Sequence, residues 1–307
     1  MTRLKPHMQP RTLRRKTPVQ RDRFTVFAAL VAAPMPLYQL IFFLGPLLYV
    51  LVLSFFTVEW FQIKPILTIS NWTHIWTQDF FWSAFLRSLL GATLTALAVT
   101  LIAFPVSLYL GIVASPTRRL VFLALLITPY FTNYVIRIFT WRGLLGESGP
   151  INGLVSALGF ERLQMVDTFA GVLVGYVTLT LPLVLVLQTF SLAFVNRDLI
   201  QAALNLGSNP WRTLVSVIIP SAKIGIILGA AFSFVLAFGD FLSPAMIGGS
   251  RPPVLSGLLV DQIRAGNHWP RASVVAITMF VFLFLVVLFA VWAAYPSRRK
   301  IRWRPTQ

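Results

Sequence analysis

The sequence predicts an all-α integral membrane protein with six transmembrane helices. Hydrophobic residues make up 57% of the 307 residues and charged residues only 11%, and the mean hydropathy is +0.77. A soluble domain carries about 25% charged residues, so this chain cannot cover a water-facing surface. Long uncharged runs separated by short polar links instead indicate several membrane crossings of about 20 residues each.

The chain begins with a strongly basic tail at residues 1–23, which holds eight Lys or Arg residues against one acid, Asp22. Such a tail is typical either of a nucleic-acid-binding arm or of a tether to a membrane surface. The apolar segment that follows favours the tether, a cytoplasmic anchor attracted to anionic lipid. We therefore expect the lipid bilayer, and no nucleic acid, as its partner.

Six apolar segments within a membrane domain at 24–295 predict the spans. The uncharged run from Phe24 to Val58 is too long for the apolar core of a cleaved signal peptide. Pro34 and Pro36 interrupt this run, so an interfacial helix over 24–33 is expected before the first span. The spans are predicted at about 37–57, 88–112, 119–141, 168–190, 222–247 and 273–294, and a second basic tail follows at 296–307.

The positions of Lys and Arg orient these spans. Eight lie in the N-terminal tail, two at 118–119, three at 197, 212 and 223, and five after 297, whereas six lie in the loops of the other side. Cytoplasmic loops carry the excess of Lys and Arg in membrane proteins. Both termini and the 196–220 segment are therefore predicted to be cytoplasmic.

The segment 196–220 predicts a polar-edged helical hairpin. Asp198 is predicted as the first helix's N-cap, with Gln201 at the capping-box position. Gly207 stands where a helix end favours positive φ. Asn209 and Pro210 are predicted to begin the second helix, and Pro220 is predicted to end it.

Each helix of the hairpin carries an apolar stripe. In the first helix the two small residues Ala202 and Ala203 let another surface approach the backbone closely, which suits docking into a partner's groove. An ordinary connection between two spans is the alternative. The stripes are Leu199, Ala202, Ala203 and Leu206 in the first helix, and Trp211, Leu214, Val215 and Ile218 in the second.

Enzyme chemistry is not predicted. The absence of cysteine excludes disulfides and thiolate metal sites. No G-x-x-x-x-G-K-[ST] loop and no H-E-x-x-H motif occurs, and His7, His74 and His268 are too scattered for a metal cluster. We expect no cofactor in this chain, and any ATP hydrolysis that drives transport must lie on another subunit.

Two groups of residues are candidates for a substrate pathway. Asp240 is the only acid predicted within a span, and a carboxylate at that depth is costly unless it faces a cavity or a partner. Three roles for Asp240 are open: it lines a pathway, it caps a helix, or it pairs with Arg137. The third span offers Tyr130, Asn133, Tyr134 and Trp141, which either hold an alkylammonium by cation–π attraction or pack between helices and at the membrane interface.

The hairpin resembles the Glu-Ala-Ala loop of ATP-binding-cassette importer permeases, on the spacing of Ala202, Ala203, Gly207 and Pro220. Gln201 stands where that family usually has glutamate, which removes the charge that would meet a basic residue of the ATPase. The segments PYFTNYVIRIFTWRGLLGESGPINGLVSALGF, GDFLSPAMIGG and NHWPRASVVAI resemble the spermidine/putrescine importer permeases. The resemblance covers nearly all of residues 35–295.

The resemblance implies a type I importer permease fold in a bacterial inner membrane, with the five residues Gln201, Ala202, Ala203, Gly207 and Pro220 coupling to an ATPase. It also implies a second permease subunit, two ATPase subunits that bind ATP and Mg²⁺, and an extracytoplasmic solute-binding protein. A polyamine is the expected solute, carried by alternating access. The alternatives are another small solute (an opine, an amino-acid-like or another organic ion) or a stand-alone secondary transporter. The last is disfavoured because no internal repeat is evident.

Overall fold

The computed structural model describes residues 31, 34–60, 62–249 and 253–295. The basic tails predicted at 1–23 and 296–307 lie outside these residues, as does the interfacial helix predicted at 24–33 except for Val31. In chain order the elements are α1 (Pro34–Leu53), β1 (Phe56–Glu59), β2 (Gln62–Leu67), α2 (Ser70–Trp76), α3 (Asp79–Val113), α4 (Pro116–Phe131), α5 (Tyr134–Leu145), α6 (Pro150–Ala157), α7 (Phe169–Ala193), α8 (Arg197–Asn205), α9 (Pro210–Gly239), α10 (Leu242–Met246), α11 (Leu255–Arg264) and α12 (Trp269–Ala294).

Within the described part of the chain, five helices are long and apolar enough to cross a membrane: α1, α3, α7, α9 and α12. A sixth crossing is formed if the segments Pro116–Phe131 and Tyr134–Ala157, which are bent by 92°, count as one span. The predicted helical membrane fold with six crossings is confirmed in this form. The third crossing is a broken one.

The prediction of one continuous helix at 119–141 is wrong, because the third crossing is broken between α4 and α5. α4 ends in a 3-10 turn at Thr128–Phe131, which contains Pro129. α5 then starts afresh, because the Asn133 side chain accepts a hydrogen bond from the Val135 N–H at 2.9 Å and so caps the new helix.

The fifth crossing also differs from the span predicted at 222–247. α9 begins at Pro210 and runs through Pro220, which therefore does not end a helix as predicted. A π-helical turn at Leu214–Ile218 ends two residues before Pro220 and changes the bonding register near the point where the proline has no N–H to donate. The helix stops at Gly239, since Asp240 takes an extended conformation with φ −74° and ψ 122°.

The first and second spans have different ends from those predicted. α1 stops at Leu53, and residues predicted as the end of the 37–57 span enter a small antiparallel sheet in which Glu59 pairs with Gln62. No strand is predicted there from the sequence. α3 begins at Asp79 rather than near 88, because an acidic side chain in the first turn favours the helix N-terminus.

The contacts divide the chain into two units, Met1–Val52 and Leu53–Gln307. In the first unit the side chains from Pro34 to Pro46 are exposed, which suits a helix surrounded by lipid. In the second unit α3, α7 and α9 pack together in the centre. Small residues permit this approach: a Cβ on Gly225 would lie 2.2 Å from Cβ of Ser191.

Candidate functional site

The first helix of the hairpin, α8, is capped by Asn196 and not by Asp198 as predicted. Oδ1 of Asn196 accepts the Asp198 N–H at 2.8 Å. The capping-box position is therefore Leu199, three residues after the cap, and Gln201 is left as an exposed side chain on the helix surface. Asp198 instead places its carboxylate in the first turn, where the helix dipole favours a negative charge.

The end of α8 is a Schellman motif centred on Gly207. The Ser208 N–H donates to the Ala203 carbonyl at 3.1 Å and the Gly207 N–H to the Leu204 carbonyl at 2.9 Å. Gly207 has the predicted positive φ, +80°, which strains any residue with a Cβ. A Cβ at this position would meet nothing within 4 Å, so the requirement for glycine is one of backbone conformation rather than space.

The second helix begins as predicted, with Pro210 in its first turn and Oδ1 of Asn209 accepting the Arg212 N–H at 2.7 Å. The hairpin is held to the rest of the chain by Ile200 and Leu214, which pack against a buried cluster that includes Leu192 of α7 and Ala222 of α9. Hydrogen bonds at the helix ends therefore set its shape, and one apolar contact region fixes it to α7 and α9.

Three of the four residues of the first predicted apolar stripe face away from their own chain, whereas Ala203 is half-buried. Leu199 is 53% exposed and Leu206 89% exposed, and Ala202 between them is exposed as well. Trp211 of the second helix is 75% exposed. Apolar side chains in contiguous exposed positions mark interaction surfaces. The hairpin thus offers an unpartnered apolar face with a small residue in the middle.

Asp240 lies at the break between α9 and α10, where it is 8% exposed. Its Oδ1 accepts the Leu242 N–H at 2.8 Å, and its Oδ2 accepts the hydroxyl of Ser243 at 2.5 Å. The backbone carbonyl of Asp240 accepts the Ser256 hydroxyl at 2.8 Å. Among the sequence alternatives, capping of a helix is therefore observed.

Tyr134 brings the third crossing to this carboxylate. Its hydroxyl donates to Oδ2 of Asp240 at 2.5 Å and lies 3.0 Å from Oγ of Ser243. The same site needs Gly175 of α7, because a Cβ there would lie 2.7 Å from Oγ of Ser243. Four elements, α5, α7, α9 and α10, converge on one buried carboxylate whose hydrogen bonds are satisfied.

Arg137 does not pair with Asp240. Its guanidinium carbon lies 5.4 Å from the ring centroid of Tyr130 and 5.3 Å from that of Tyr134, distances typical of cation–π contacts. The only ion pairs among the described residues are Lys64 with Glu59 and Arg142 with Asp167. The two tyrosine rings predicted as a cation site thus hold a cation that belongs to the chain.

The remaining predicted pathway residues have structural contacts. The Asn133 side chain is the cap of α5, and Trp141 packs with Tyr134 around the buried residues Ile138 and Ile247. Tyr134 joins two of these contacts, because its ring lies with that of Tyr130 beside Arg137 and its hydroxyl bonds to Asp240. Ser243 and Ser256 are not predicted as site residues from the sequence, because serine in an apolar segment gives no signal of its own.

A polar cavity of about 510 Å³ lies beyond the end of α5. Arg142 donates to the Met246 carbonyl and lies 3.6 Å from a carboxylate oxygen of Asp167. The Asp167 N–H in turn donates to the Ile247 carbonyl at 2.7 Å. These bonds hold the far end of α10, the helix whose start Asp240 caps, against the loop before α7.

Metal-ligand chemistry is not supported by the side chains that the structure describes, which contain no group of three His, Cys, Asp or Glu residues suited to an ion. His268 lies outside the crossings, before α12. The pKa of its ring is lowered because partial burial disfavours the charged form and because Arg271 and His74 add repulsion.

Three comparisons with known proteins agree with this architecture. Residues 103–302 match the family described as binding-protein-dependent transport system inner membrane component. The chain is 27% identical over 228 residues to the spermidine/putrescine transport system permease protein of Escherichia coli (strain K12), covering 74% of this chain and 82% of that protein. It is 30% identical over 217 residues to the molybdenum transport system permease protein of Azotobacter vinelandii, covering 68% and 90%.

The fold is similar to that of a chain in the crystal structure of a bacterial ABC transporter involved in the import of the acidic polysaccharide alginate. The TM-score is 0.72 and the sequence identity 17%, and the match covers 92% of this chain and 98% of that chain. At this identity the likeness concerns the fold. The family match spans the 196–220 hairpin, the residues Tyr134, Asp240, Ser243 and Ser256 (the Asp240 cluster), and the crossings between them.

Proposed function

Because this chain belongs to the family of binding-protein-dependent transport system inner membrane components, we propose that it carries a polyamine such as spermidine or putrescine. The chain is the inner-membrane permease of an ATP-binding-cassette importer, and the ATPase activity of such importers lies in other subunits. Its similarity over most of its length to a spermidine/putrescine permease is the observation that carries the choice of solute.

The hairpin is the proposed contact with the ATPase. The exposed face formed by Leu199, Ala202 and Leu206 fits a groove of a partner subunit, because apolar anchors one turn apart are how short helices dock. Gly207 sets the angle at which the second helix leaves. Gln201 has an amide where the family usually has the carboxylate of glutamate, so its proposed contact with the ATPase is a neutral hydrogen bond.

Coupling requires the hairpin to face the ATPase, and the distribution of Lys and Arg supports that orientation. Arg197, Arg212 and Lys223 lie within or beside the hairpin, and basic loops are retained on the cytoplasmic side. Both termini are then cytoplasmic. The complete importer comprises a second permease subunit, two ATPase subunits and an extracytoplasmic solute-binding protein, and ATP binding closes the ATPases and opens the cavity outward.

The role of Asp240 in this transport is to join moving elements. Oδ2 of its carboxylate accepts bonds from both Tyr134 and Ser243, so an ammonium that bound at this oxygen would displace one of these donors. A cationic solute would replace such a donor and change the angle between α5 and α9. Asp240 is therefore proposed as a group that responds to the solute through Tyr134.

A second candidate is an organic anion carried by the same type of importer. Arg137 favours it, because the guanidinium already covers the tyrosine faces that an alkylammonium would need. A carboxylate solute, such as an opine or an amino-acid-like ion, would meet Arg137 directly.

The test is uptake by the assembled importer in proteoliposomes, with its cognate solute-binding protein outside and ATP inside. We expect accumulation of radiolabelled spermidine and stimulation of ATP hydrolysis by the spermidine-loaded binding protein. Accumulation of an opine or amino acid without any of spermidine or putrescine would disprove the polyamine assignment and leave the permease assignment standing. Failure of any ATPase subunit to copurify with the chain would remove the proposed coupling.

A further inference from the structure

The small sheet formed by β1 and β2 exposes apolar side chains on both faces. Ile63, Ile66 and Leu67 of β2 are all exposed, and Leu67 is 74% exposed. A sheet with one face in water normally alternates apolar and polar residues, so that only the inner face is apolar. This hairpin shows no such alternation, and water is therefore a poor surrounding for it.

Trp60, at the tip of this hairpin, strengthens that observation. It is 91% exposed and has a φ of +52°, a left-handed conformation that two-residue turns usually assign to Asn or Gly. A large aromatic in this conformation costs about 1–2 kcal/mol relative to glycine. At this exposure the indole has little contact with the residues that the structure describes, so packing against them does not offset the cost. An external surface is needed to account for it.

Contacts with α12 set the level of the β1–β2 hairpin relative to the bilayer. Nε1 of Trp76, at the end of α2, donates to Oγ1 of Thr278 at 3.4 Å. Thr278 lies about 14 Å along α12 from Trp269, since a helix rises about 1.5 Å per residue. A helix of 26 residues is about 39 Å long and extends past a 30 Å apolar layer by about 5 Å at each end. With α12 centred in that layer, Thr278 and the Trp76 side chain bonded to it lie at the depth of the bilayer and not above it.

Hydrogen bonds between α2 and the start of β1 keep the β1–β2 hairpin close to the level of Trp76. The side-chain amide of Asn71 in α2 donates to the carbonyls of Ser54 and Phe56, at 3.0 and 2.8 Å. From Phe56 the strand β1 is only four residues long, so its tip is within about 14 Å of this anchor. The one ion pair of the hairpin, Glu59 with Lys64, leaves it without net charge.

We propose that the β1–β2 hairpin is a lipid-binding element that inserts Trp60 and the exposed side chains of β2 into the headgroup region of the bilayer. Aromatic rings with one polar end favour that region. The neutral surface and the depth of Trp76 select lipid over a soluble protein as the occupant. The element holds the start of α3 at a fixed level while the rest of the permease changes shape.

The absence of cysteine from the chain permits a direct measurement. In the assembled importer, with cysteine-free partner subunits and in phosphatidylcholine/phosphatidylglycerol nanodiscs, Trp60→Cys and Ile66→Cys are labelled separately with a nitroxide. Collision with oxygen, which concentrates in lipid, is compared with collision with a water-soluble nickel chelate. Phe284→Cys, on the exposed face of α12, is the lipid reference, and Glu161→Cys, on an exposed loop, is the water reference.

We expect the ratio of oxygen to nickel collision at both hairpin positions to lie well above that at Glu161 and towards that at Phe284. Ratios equal to that at Glu161 would overturn the proposal. So would labels that are open to nickel until the loaded binding protein is added, because the surface would then be a protein interface. Ile66→Cys keeps the experiment decisive if replacement of Trp60 alters the turn.

Discussion

The Asn196–Pro220 hairpin and the Asp240 cluster differ in how their contacts are distributed along the chain. In the hairpin, the bonds that fix the helix ends join residues a few positions apart, such as Asn196 with Asp198. In the cluster, the hydroxyl that meets the carboxylate comes from Tyr134, 106 residues away. The hairpin exposes its apolar face, whereas the cluster buries its polar groups.

This difference is what the proposed roles require, a rigid connector for the hairpin and a site that reports relative position for the Asp240 cluster. Under that proposal, local bonds keep the hairpin in one shape while the helices attached to it move. The Asp240 cluster instead exists only when α5 and α10 are close, so a change in the bend between α4 and α5 breaks it. An importer needs both properties, because a motion must be transmitted at one end and registered at the other.

The largest expected effect comes from breaking the hairpin at Gly207. Gly207→Val should abolish ATP-driven uptake, because a left-handed residue with a branched Cβ costs at least about 1–2 kcal/mol and redirects the second helix. Membrane insertion should be unchanged, as measured by the amount of purified permease. Gly207→Asn is the matched control, since asparagine adopts this conformation more readily, and it should retain uptake. Normal uptake by the valine variant would contradict the coupling role.

A smaller effect is expected when the cluster is broken at Tyr134. Tyr134→Phe removes one charge-assisted hydrogen bond, worth about 1.5–3 kcal/mol, and leaves the ring that contacts Arg137 in place. We expect a lower midpoint of thermal unfolding and about tenfold slower uptake.

Asp240→Asn should act in the same direction as Tyr134→Phe, and the double variant should cost less than the sum of the two single variants. Additive losses would indicate that Tyr134 and Asp240 act separately. Unchanged uptake in Asp240→Asn, with a lowered unfolding midpoint, would assign the carboxylate to structure alone.

The same difference explains how much could be predicted from the sequence. Asn209, Pro210 and Gly207 act on neighbouring residues, so their roles in the hairpin were evident from spacing alone. Asp240 was recognised as costly, but its partners Tyr134 and Ser256 could not be chosen, because nothing in the sequence specifies which helices meet. The break at Gly239 was missed for the same reason, since hydroxyls from other helices help to hold Asp240 in its extended conformation.

The alternative between Asn196 and Asp198 as the cap shows a limit even for local signals. Both residue types cap helices, and both stand near the start of α8. Only the extended backbone of Asn196, with φ −67° and ψ 120°, identifies it as the residue outside the helix.

A further prediction concerns Arg137. Like the bonds in the hairpin, its contact with Tyr134 joins residues that are near in sequence, but it caps no helix. Arg137→Gln frees the faces of Tyr130 and Tyr134 and removes about 1 kcal/mol of cation–π attraction. If the solute is a polyamine, uptake should stay unchanged or rise by up to about fivefold, the factor that corresponds to this energy. Arg137→Lys, which keeps the cation, should resemble the unmodified protein. A loss of uptake in the Gln variant alone would favour an anionic solute.

The smallest expected effect tests the cap of α8. Asn196→Ala removes the acceptor of the Asp198 N–H and should destabilise the first turn by about 1 kcal/mol. Hydrogen–deuterium exchange of the amides at 197–205 should then be faster by about fivefold, as local opening free energy falls by that amount. Asp198→Ala removes only a favourable charge near the helix start, worth about 0.3–1 kcal/mol, and should accelerate exchange less. The reverse order would make Asp198 the cap. Because both substitutions lie outside the Asp240 cluster, exchange in α10 should be unchanged by either, which separates a locally built element from one built across the fold.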